Sequence, residues 1–272
     1  MDTKLIDYLT TRAEGGFISL KDELRACSDL NLSFKEVEEA VFKLGLMPAR
    51  YKRNYKTFSV EDQYRLFKSA VAVVGCGGLG GYLIEGLARL GVGTIKAIDP
   101  DVFEEHNLNR QLLSNLDNLG TSKAMAALQR LSSINPATRL IPINAAFSKD
   151  SADEILSDVQ VVADALDSIH TRLVLIEECK RHGIPLVHGS IGGWYGQVSV
   201  QYPEDHTLKD LFEGRGDKGI EAELGNPSFT PAMIASIEAA EVCKVLLGIT
   251  SPLRGNLLVI DLREMNFVWL KT

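Results

Sequence analysis

The chain has 272 residues and a formal net charge of −7, and its content of 45% hydrophobic and 24% charged residues is ordinary for a globular protein. This length allows one large α/β domain with a small additional unit, while the negative charge argues against general nucleic-acid binding, which usually requires a basic face. The sequence has neither a signal-peptide pattern nor an apolar run near the roughly 18 residues of a membrane helix, so we expect no membrane association and a cytoplasmic protein.

Residues 1–50 have the pattern of a separate helical unit. Apolar residues at helical spacing predict helices over 5–9 and 34–44, the second capped by Ser33 with Glu36 three residues later. Gly45 and Pro48 predict its end. We therefore expect a small helical appendage over 1–50, acting as a packing or dimer-forming arm, before a larger domain over 51–272.

From residue 70 onward, short apolar runs alternate with amphipathic helices, which is typical of a mostly parallel sheet. Strands are predicted over 71–74, 95–98, 140–143, 159–163 and 186–188. Helices are predicted over 79–90, 122–134 and 171–182. Alternation over 197–202 and a hairpin of 257–260 with 267–270 predict an antiparallel C-terminal extension. We expect an α/β, Rossmann-like fold with helices on both faces of the sheet.

A polar, glycine-rich stretch over 204–229 is longer than the common connections between elements. We predict that it is a loop that serves as a lid or as a crossover for docking a partner. A helix over 231–247 follows it, with Thr230 as the predicted N-cap and Gly248 as its end.

The turn after the first predicted strand has the pattern of a nucleotide site. Gly75, Gly77 and Gly80 satisfy G-x-G-x-x-G between a strand and a helix. Because glycines have no Cβ, the backbone N–H groups at the helix N-terminus can approach phosphate oxygens. Asp99 ends the second strand, where its carboxylate can accept hydrogen bonds from ribose hydroxyls. This pattern alone does not separate NAD from ATP.

Two cations further along the chain favour phosphoryl chemistry over hydride transfer. Lys123 stands in the first turn of a helix, where a cation is unfavourable unless an anion lies beside it. Arg110 can donate two parallel hydrogen bonds to a phosphate. Together they suit a pentacovalent phosphorus centre and a departing pyrophosphate.

Two carboxylates lie near the end of the fourth predicted strand, where an open α/β sheet binds its ligands. One of them is expected to bind Mg²⁺, which prefers oxygen ligands. We favour Asp167 over Asp164 because it lies just past the apolar run.

In this order the motifs resemble the ThiF/MoeB/HesA family, the bacterial relatives of ubiquitin-activating enzymes, from about Tyr51 to Phe267. The segment from Gly75 to Gly80 resembles the G-x-G-G-L-G loop of the family, and residues 107–111 resemble its N-L-x-R-Q segment. Lys123 resembles the lysine of G-x-x-K, and Asp167 the magnesium aspartate of D-x-x-D-N. The nucleotide contacts implied are Gly75, Gly77, Gly78, Gly80, Asp99, Asp101, Asn107, Arg110, Gln111 and Lys123.

The resemblance also implies a shared active site. Arg50-Tyr51-Lys52-Arg53-Asn54 resembles the R-Y-x-R-Q/N segment, whose second arginine reaches into the ATP site of a partner subunit. The chain is thus expected to be a homodimer in which Arg53 acts in trans. The catalytic residues implied are Arg53, Arg110, Lys123 and Asp167.

The activity implied is adenylation of the C-terminal Gly-Gly carboxylate of a ubiquitin-like sulfur-carrier protein, such as those of molybdopterin or thiamine synthesis, with ATP, Mg²⁺ and a possible sulfur donor. A carboxylate is a poor electrophile at carbon, and transfer to AMP supplies a good leaving group. Attack on the α-phosphorus requires in-line positioning and cations but no protein nucleophile.

Three departures from the family pattern modify this expectation. Many relatives carry two Cys-x-x-Cys pairs that bind zinc, whereas this chain has none, so we expect no zinc and no disulfide framework. Ser168 follows Asp167 where the family usually has asparagine. No cysteine occurs over 204–229, so we expect adenylation without an obligatory thioester on the enzyme. The four cysteines are Cys27, Cys76, Cys179 and Cys243.

Three other functions are compatible with parts of the pattern. The same ATP site could activate a small carboxylate or a modified tRNA base. An NAD-linked oxidoreductase would bind nicotinamide whether or not Lys123 is present, and the sequence has no obvious hydride-site His or Tyr pair. A nonenzymatic scaffold is disfavoured by the intact set of predicted site residues.

Overall fold

The computed structural model describes residues 2–214, 216 and 221–271, without the side chains of 221 and 222. The strands are β1 (Phe17–Ile18), β2 (Met47–Pro48), β3 (Ala70–Val74), β4 (Thr94–Ile98), β5 (Arg139–Ile143), β6 (Val161–Asp164), β7 (Leu186–Gly192), β8 (Tyr195–Gln201), β9 (Asn256–Asp261) and β10 (Asn266–Lys271). The α-helices are α1 (Thr3–Arg12), α2 (Leu20–Leu30), α3 (Phe34–Lys43), α4 (Val60–Lys68), α5 (Gly78–Leu90), α6 (Lys123–Ser132), α7 (Lys149–Leu156), α8 (Ile169–His182), α9 (Thr207–Phe212), α10 (Glu221–Leu224) and α11 (Phe229–Leu247).

An eight-stranded sheet in the order β10-β9-β8-β7-β6-β3-β4-β5 forms the centre of the molecule. The strands from β7 to β5 in this order pair in parallel, and β8, β9 and β10 extend the same sheet by antiparallel pairing. The predicted Rossmann-like fold with an antiparallel C-terminal extension is therefore confirmed.

Helices cover both faces of the sheet because the central strands are apolar on both sides. Val71 and Val73 of β3 point into a buried cluster with α5, α6 and α11. Ala72 and Val74 alternate with them and point into a second cluster with α7, α8 and α9. None of the described helices combines the length and apolar content that crossing a membrane requires.

Several predicted helix ends are confirmed by their backbone geometry. Ser33 and Glu36 form a capping box at the start of α3. Gly91, Gly183 and Gly248 each follow a helix in the left-handed conformation that ends it.

Two predictions about the C-terminal half are wrong. The loop predicted over 204–229 contains α9 and α10, although residues 215 and 217–220 lie outside the described residues. Thr230 does not cap α11, which begins at Phe229; the buried Thr230 hydroxyl instead donates to the Gly193 carbonyl oxygen at 2.6 Å.

Helix α7 is not predicted from the sequence because only Ala152, Ile155 and Leu156 among its eight residues are buried.

The N-terminal appendage has an apolar core of its own and shares a second one with the rest of the chain. Leu9, Ile18 and Val37 belong to a buried cluster formed by residues 5–46. A separate cluster joins Phe42 to Phe67 across the boundary at residue 50. The division into two domains at that boundary stays a prediction.

Candidate active site

A cavity of about 550 Å³ opens at the carboxyl ends of the parallel strands, where open α/β sheets bind their ligands. Its wall brings together most of the predicted site residues from five separate segments of the chain. These residues are Gly75, Gly77, Gly78, Asp99, Asp101, Arg110, Gln111, Lys123 and Asp167.

Within the part of the chain that the structure describes, three predicted site residues do not line this wall. An ideal Cβ on Gly80 would lie only 1.8 Å from the Gly75 carbonyl oxygen, so this glycine permits close packing under the turn. Asn107 is buried, and its side-chain oxygen accepts a hydrogen bond from the Glu104 N–H at 3.0 Å, which holds the turn before Arg110. Arg53 is exposed to solvent outside the cavity.

The glycine turn lies tightly between β3 and α5. Gly75 has φ +98°, and a Cβ there would lie 2.5 Å from the Ala165 carbonyl oxygen, so no other residue fits without displacement. Helix α5 starts at Gly78 with Gly77 as its N-cap, so no side chain caps the first N–H groups of the helix. The first N–H groups of α5 have no partner within the helix and are available to an anion in the cavity.

The Asp99 carboxylate fixes the position of the glycine turn. One oxygen accepts the Cys76 N–H at 2.7 Å, and the other accepts the Asp101 N–H at 2.8 Å. Burial raises the pKa of Asp99, although both N–H groups act to lower it. Asp99, which was predicted to bind the ribose, thus also connects the glycine turn to the loop that follows β4. The sequence did not reveal this role.

Asp101 positions Lys123 through two contacts. The Lys123 ammonium lies 3.0 Å from the Asp101 carboxylate, and the Lys123 N–H donates to the Asp101 carbonyl oxygen at 2.9 Å. The lysine side chain is only 9% exposed, whereas that of Asp101 is 65% exposed. Asp101 therefore supplies the anion that a cation in the first turn of α6 requires, and Lys123 is among the residues that line the cavity.

Arg110 and Gln111 add further polar groups to the wall. The Arg110 guanidinium donates to the His106 carbonyl oxygen at 3.1 Å and to Asn109 Oδ1 at 2.8 Å. Burial lowers the pKa of Arg110, and the charge of Asp167 acts in the opposite direction. Gln111 is buried, and its Oε1 has no hydrogen-bond partner among the described residues.

The two candidate metal carboxylates have different surroundings. Asp164 is fully buried and accepts hydrogen bonds from Arg172 Nε at 2.8 Å and the Leu166 N–H at 3.0 Å, and it lies 2.7 Å from His188 Nδ1. Burial acts to raise the pKa of Asp164, but Arg172 and His188 outweigh it and hold the pKa below its ordinary value. Asp167 is exposed on the cavity wall.

The wall could bind Mg²⁺ only together with the phosphate oxygens of a nucleotide. Among the described residues no group of three His, Cys, Asp or Glu side chains could hold a metal ion. One carboxylate together with phosphate oxygens is, however, a usual environment for Mg²⁺. The assignment of the metal to Asp167 stays a prediction.

Arg172 is a wall residue that sequence analysis did not identify. It is 3% exposed, and it donates to the Leu166 carbonyl oxygen as well as to Asp164, so it holds the loop that carries Asp167. A signal was present: Arg172 lies between Ile169 and Leu175 on the apolar side of α8, where an arginine indicates a buried ion pair.

A buried carboxyl group lies beside this region on α11. Glu238 is fully buried, and neither carboxylate oxygen has a hydrogen-bond partner among the residues described. It faces β7 so closely that a Cβ on Gly189 would be 2.3 Å from Glu238 Oε2. Burial raises the pKa of Glu238 well above its ordinary value, and the Asp164 charge adds to this effect.

Glu238→Gln is expected to raise the melting temperature at pH 8 and to change it less toward pH 4. The pKa in the folded state lies above the unfolded value, so ionisation favours unfolding and stability is lost as the pH rises above the unfolded pKa. Glutamine removes this ionisation. Thermal unfolding across this pH range tests the prediction, with Glu264→Gln, an exposed carboxylate, as the control. A melting-temperature difference that is independent of pH would contradict it.

Comparison with known proteins identifies relatives of similar length. The ThiF family model matches residues 51–272. The SAMP-activating enzyme E1 of Haloferax volcanii is 37% identical over 223 residues, covering 80% of this chain and 83% of that protein. The sulfur carrier protein adenylyltransferase of Thermus thermophilus is 37% identical over 216 residues, covering 76% and 80%.

Solved structures share the fold at lower identity. The crystal structure of PaaA superposes with a TM-score of 0.70 at 21% identity, covering 100% of this chain and 87% of that one. Escherichia coli tRNA N6-threonylcarbamoyladenosine dehydratase, TcdA, solved in complex with ATP, gives a TM-score of 0.64 at 24% identity, covering 74% and 94%. The match to PaaA therefore includes the N-terminal appendage.

Proposed function

The chain belongs to the ThiF family, and we propose that it is an ATP-dependent adenylyltransferase that activates the C-terminal Gly-Gly carboxylate of a ubiquitin-like sulfur-carrier protein. The observation that carries the proposal is the buried Lys123 ammonium, which Asp101 holds on the same cavity wall as the glycine turn and Arg110. The names of the relatives from Haloferax volcanii and Thermus thermophilus support the substrate class.

The reaction proposed is a single displacement at the α-phosphorus of ATP. A carboxylate oxygen of the carrier forms a bond to this phosphorus, and the bond from it to the bridging oxygen breaks, releasing pyrophosphate. The N–H groups at the start of α5 hold phosphate oxygens, and Arg110 and Lys123 stabilise the charge that develops on them. Asp167 would hold Mg²⁺, which neutralises phosphate charge when bound. Asp99 accepts hydrogen bonds from the ribose hydroxyls.

None of the three buried cysteines is proposed as a nucleophile. Cys76, Cys179 and Cys243 are buried, and burial raises the pKa of each thiol, that of Cys243 to about 12. Their thiolate forms, which are the reactive ones, are therefore scarce at neutral pH. We propose that the acyl-adenylate passes directly to a sulfur donor without a thioester on this enzyme and without structural zinc.

The remaining elements of the proposal concern assembly. We propose a cytoplasmic homodimer in which Arg53 of one protomer enters the ATP site of its partner. The support is that Arg53 is exposed and does not line the cavity of its own protomer.

ATP–pyrophosphate exchange with labelled pyrophosphate tests the proposed activity. We expect exchange only when a carrier with a free C-terminal Gly-Gly is present, because the carboxylate is the nucleophile. The same carrier lacking its last two residues, or ending in an amide, is the matched control. Exchange driven by a small carboxylate or a modified tRNA base, or productive binding of NADH, would contradict the proposal.

A further inference from the structure

The segment that connects the appendage to α4, residues 49–58, carries Arg53 and is here named the arginine arm. Its residue Arg50 points back into the appendage. The Arg50 guanidinium lies 2.7 Å from Glu23 Oε2 on α2 and also forms an ion pair with Glu38 on α3. The side chains of both carboxylates are fully buried, so this end of the arm is held from two helices of the appendage.

The next residue of the arm is fixed to the α/β domain instead. Tyr51 is 2% exposed, and its hydroxyl accepts a hydrogen bond from Asn135 Nδ2 at 2.8 Å. A Cβ on Gly91 would lie 2.9 Å from this hydroxyl, so the ring packs closely over a position that only glycine leaves open. The arm therefore leaves the molecule from a point that is anchored on both sides.

Beyond Tyr51 the arm forms an exposed turn that the appendage also contacts. The Asn54 N–H donates to the Tyr51 carbonyl oxygen at 2.8 Å, which closes the turn around Arg53. Phe17 of β1 packs edge-on against Tyr55 with ring centroids 5.4 Å apart, and its centroid lies 5.3 Å from the Lys52 ammonium. The appendage thus contacts the arm on both sides of Arg53.

The charges in this cluster are difficult to explain by stability alone. Two carboxylates and one arginine are buried together, and buried ion pairs seldom stabilise a fold more than apolar residues of similar volume. Burial raises the pKa of Glu23 to about 7, even though Arg50 acts to lower it. Such a cluster does fix the orientation of the arm, because the planar guanidinium donates its hydrogen bonds only in a fixed geometry.

We propose that the appendage is a positioning device for Arg53, in which Glu23, Glu38 and Phe17 fix the arginine arm so that Arg53 enters the active site of the partner protomer. The inference rests on the proposed function, in which Arg53 acts in trans. Glu23, Glu38 and Phe17 touch no reacting atom in it and act only through the arm.

Glu38→Gln and Tyr55→Ala test the proposal in exchange assays with the full-length protein. Each is expected to lower kcat by about 10- to 10²-fold, the usual effect of misplacing a reacting group by about 1 Å, while ATP binding at equilibrium stays unchanged. Glu39→Gln is the matched control, because Glu39 is the next residue on α3 and pairs with Lys43 and Lys68 instead of Arg50.

Mixed dimers give the readout that a merely structural role would not produce. Mixing Glu38→Gln with Lys123→Ala should restore exchange, since the second protomer supplies an intact arm to the intact site of the first. Mixing Glu38→Gln with Arg53→Ala should not restore it, because both arms are then defective. Tyr55 is half exposed, so Tyr55→Ala decides the question if Glu38→Gln does not fold.

The two possible failures are distinguishable. If Arg53→Ala is impaired and rescued in mixed dimers while Glu38→Gln and Tyr55→Ala keep wild-type exchange, the positioning role is wrong and the trans arginine stands. If Arg53→Ala itself has wild-type exchange, or is not rescued by Lys123→Ala at any ratio, the trans arginine of the proposed function is wrong.

Discussion

Lys123→Ala is expected to lower ATP–pyrophosphate exchange by at least about 10²- to 10³-fold, the usual effect of removing one donor from a preorganised site for developing negative charge. The Lys123 side chain is only 9% exposed, and its ammonium pairs with the Asp101 carboxylate. We therefore expect that a cation from solvent does not replace the ammonium in the same position. The measurement is exchange at saturating ATP and carrier. The fall should appear in kcat, because the charge that Lys123 meets is largest in the transition state.

Lys149→Ala is a closely matched control for this substitution. Lys149 is the first residue of α7 and follows Ser148 as N-cap, just as Lys123 is the first residue of α6 and follows Ser122. It is exposed and does not line the cavity, so exchange should be unchanged. Both variants should melt near the wild type, because Asp101 is mostly exposed and water can replace its partner. Wild-type exchange by Lys123→Ala would remove the basis of the proposed chemistry.

The sequence predicted the parts of the fold and site that depend on local chemistry. Strand β3 was predicted from its unbroken apolar run, and the turn after it from the spacing of its glycines, and both signals lie within a short stretch of sequence. The position of Lys123 in the first turn of a helix was predictable in the same way. Each of these features is encoded within about a dozen residues.

Features that depend on distant contacts were not predicted. Asp99 follows β4 and binds the glycine turn that follows the neighbouring strand β3. Asp101 lies in the loop between β4 and α6 and pairs with Lys123 at the start of α6. Nothing in the residues around these carboxylates identifies their partners. The same reason explains Thr230: it has the sequence of an N-cap, but in the fold its hydroxyl reaches the Gly193 carbonyl oxygen, and the helix begins before it.

The arginine arm shows how a motif can be recognised while its support is missed. The segment around Arg53 resembles the family segment whose arginine acts in trans, and that role of Arg53 stays a prediction, although its side chain is exposed. That Arg50 in the same motif would bind Glu23 and Glu38 was not predictable, because these carboxylates lie on two different helices and look like surface residues in the sequence.

Gly80→Ala and Gly86→Ala make the same chemical change on the same helix, α5, and are expected to have opposite effects. A methyl group on Gly86 meets no atom within 4 Å, so alanine there should stabilise the helix by about 1 kcal/mol. It should also leave exchange unchanged, since Gly86 lies away from the cavity wall. Gly86→Ala is therefore the control against which the effect of a methyl group at Gly80 is measured.

Gly80→Ala is expected to destabilise the protein by about 1–3 kcal/mol and to weaken ATP binding by about 10²-fold or more. The added carbon would lie 1.8 Å from the Gly75 carbonyl oxygen, and both are backbone-fixed positions, so the turn and α5 must separate. Gly75 itself packs closely against the end of β6, since a Cβ there would lie 2.5 Å from the Ala165 carbonyl oxygen. We expect the turn to shift, and with it the N–H groups that the proposed function assigns to the phosphates. Calorimetric titration with ATP and thermal unfolding measure the two effects, and ATP affinity equal to that of Gly86→Ala would mean that the glycine turn does not hold the nucleotide.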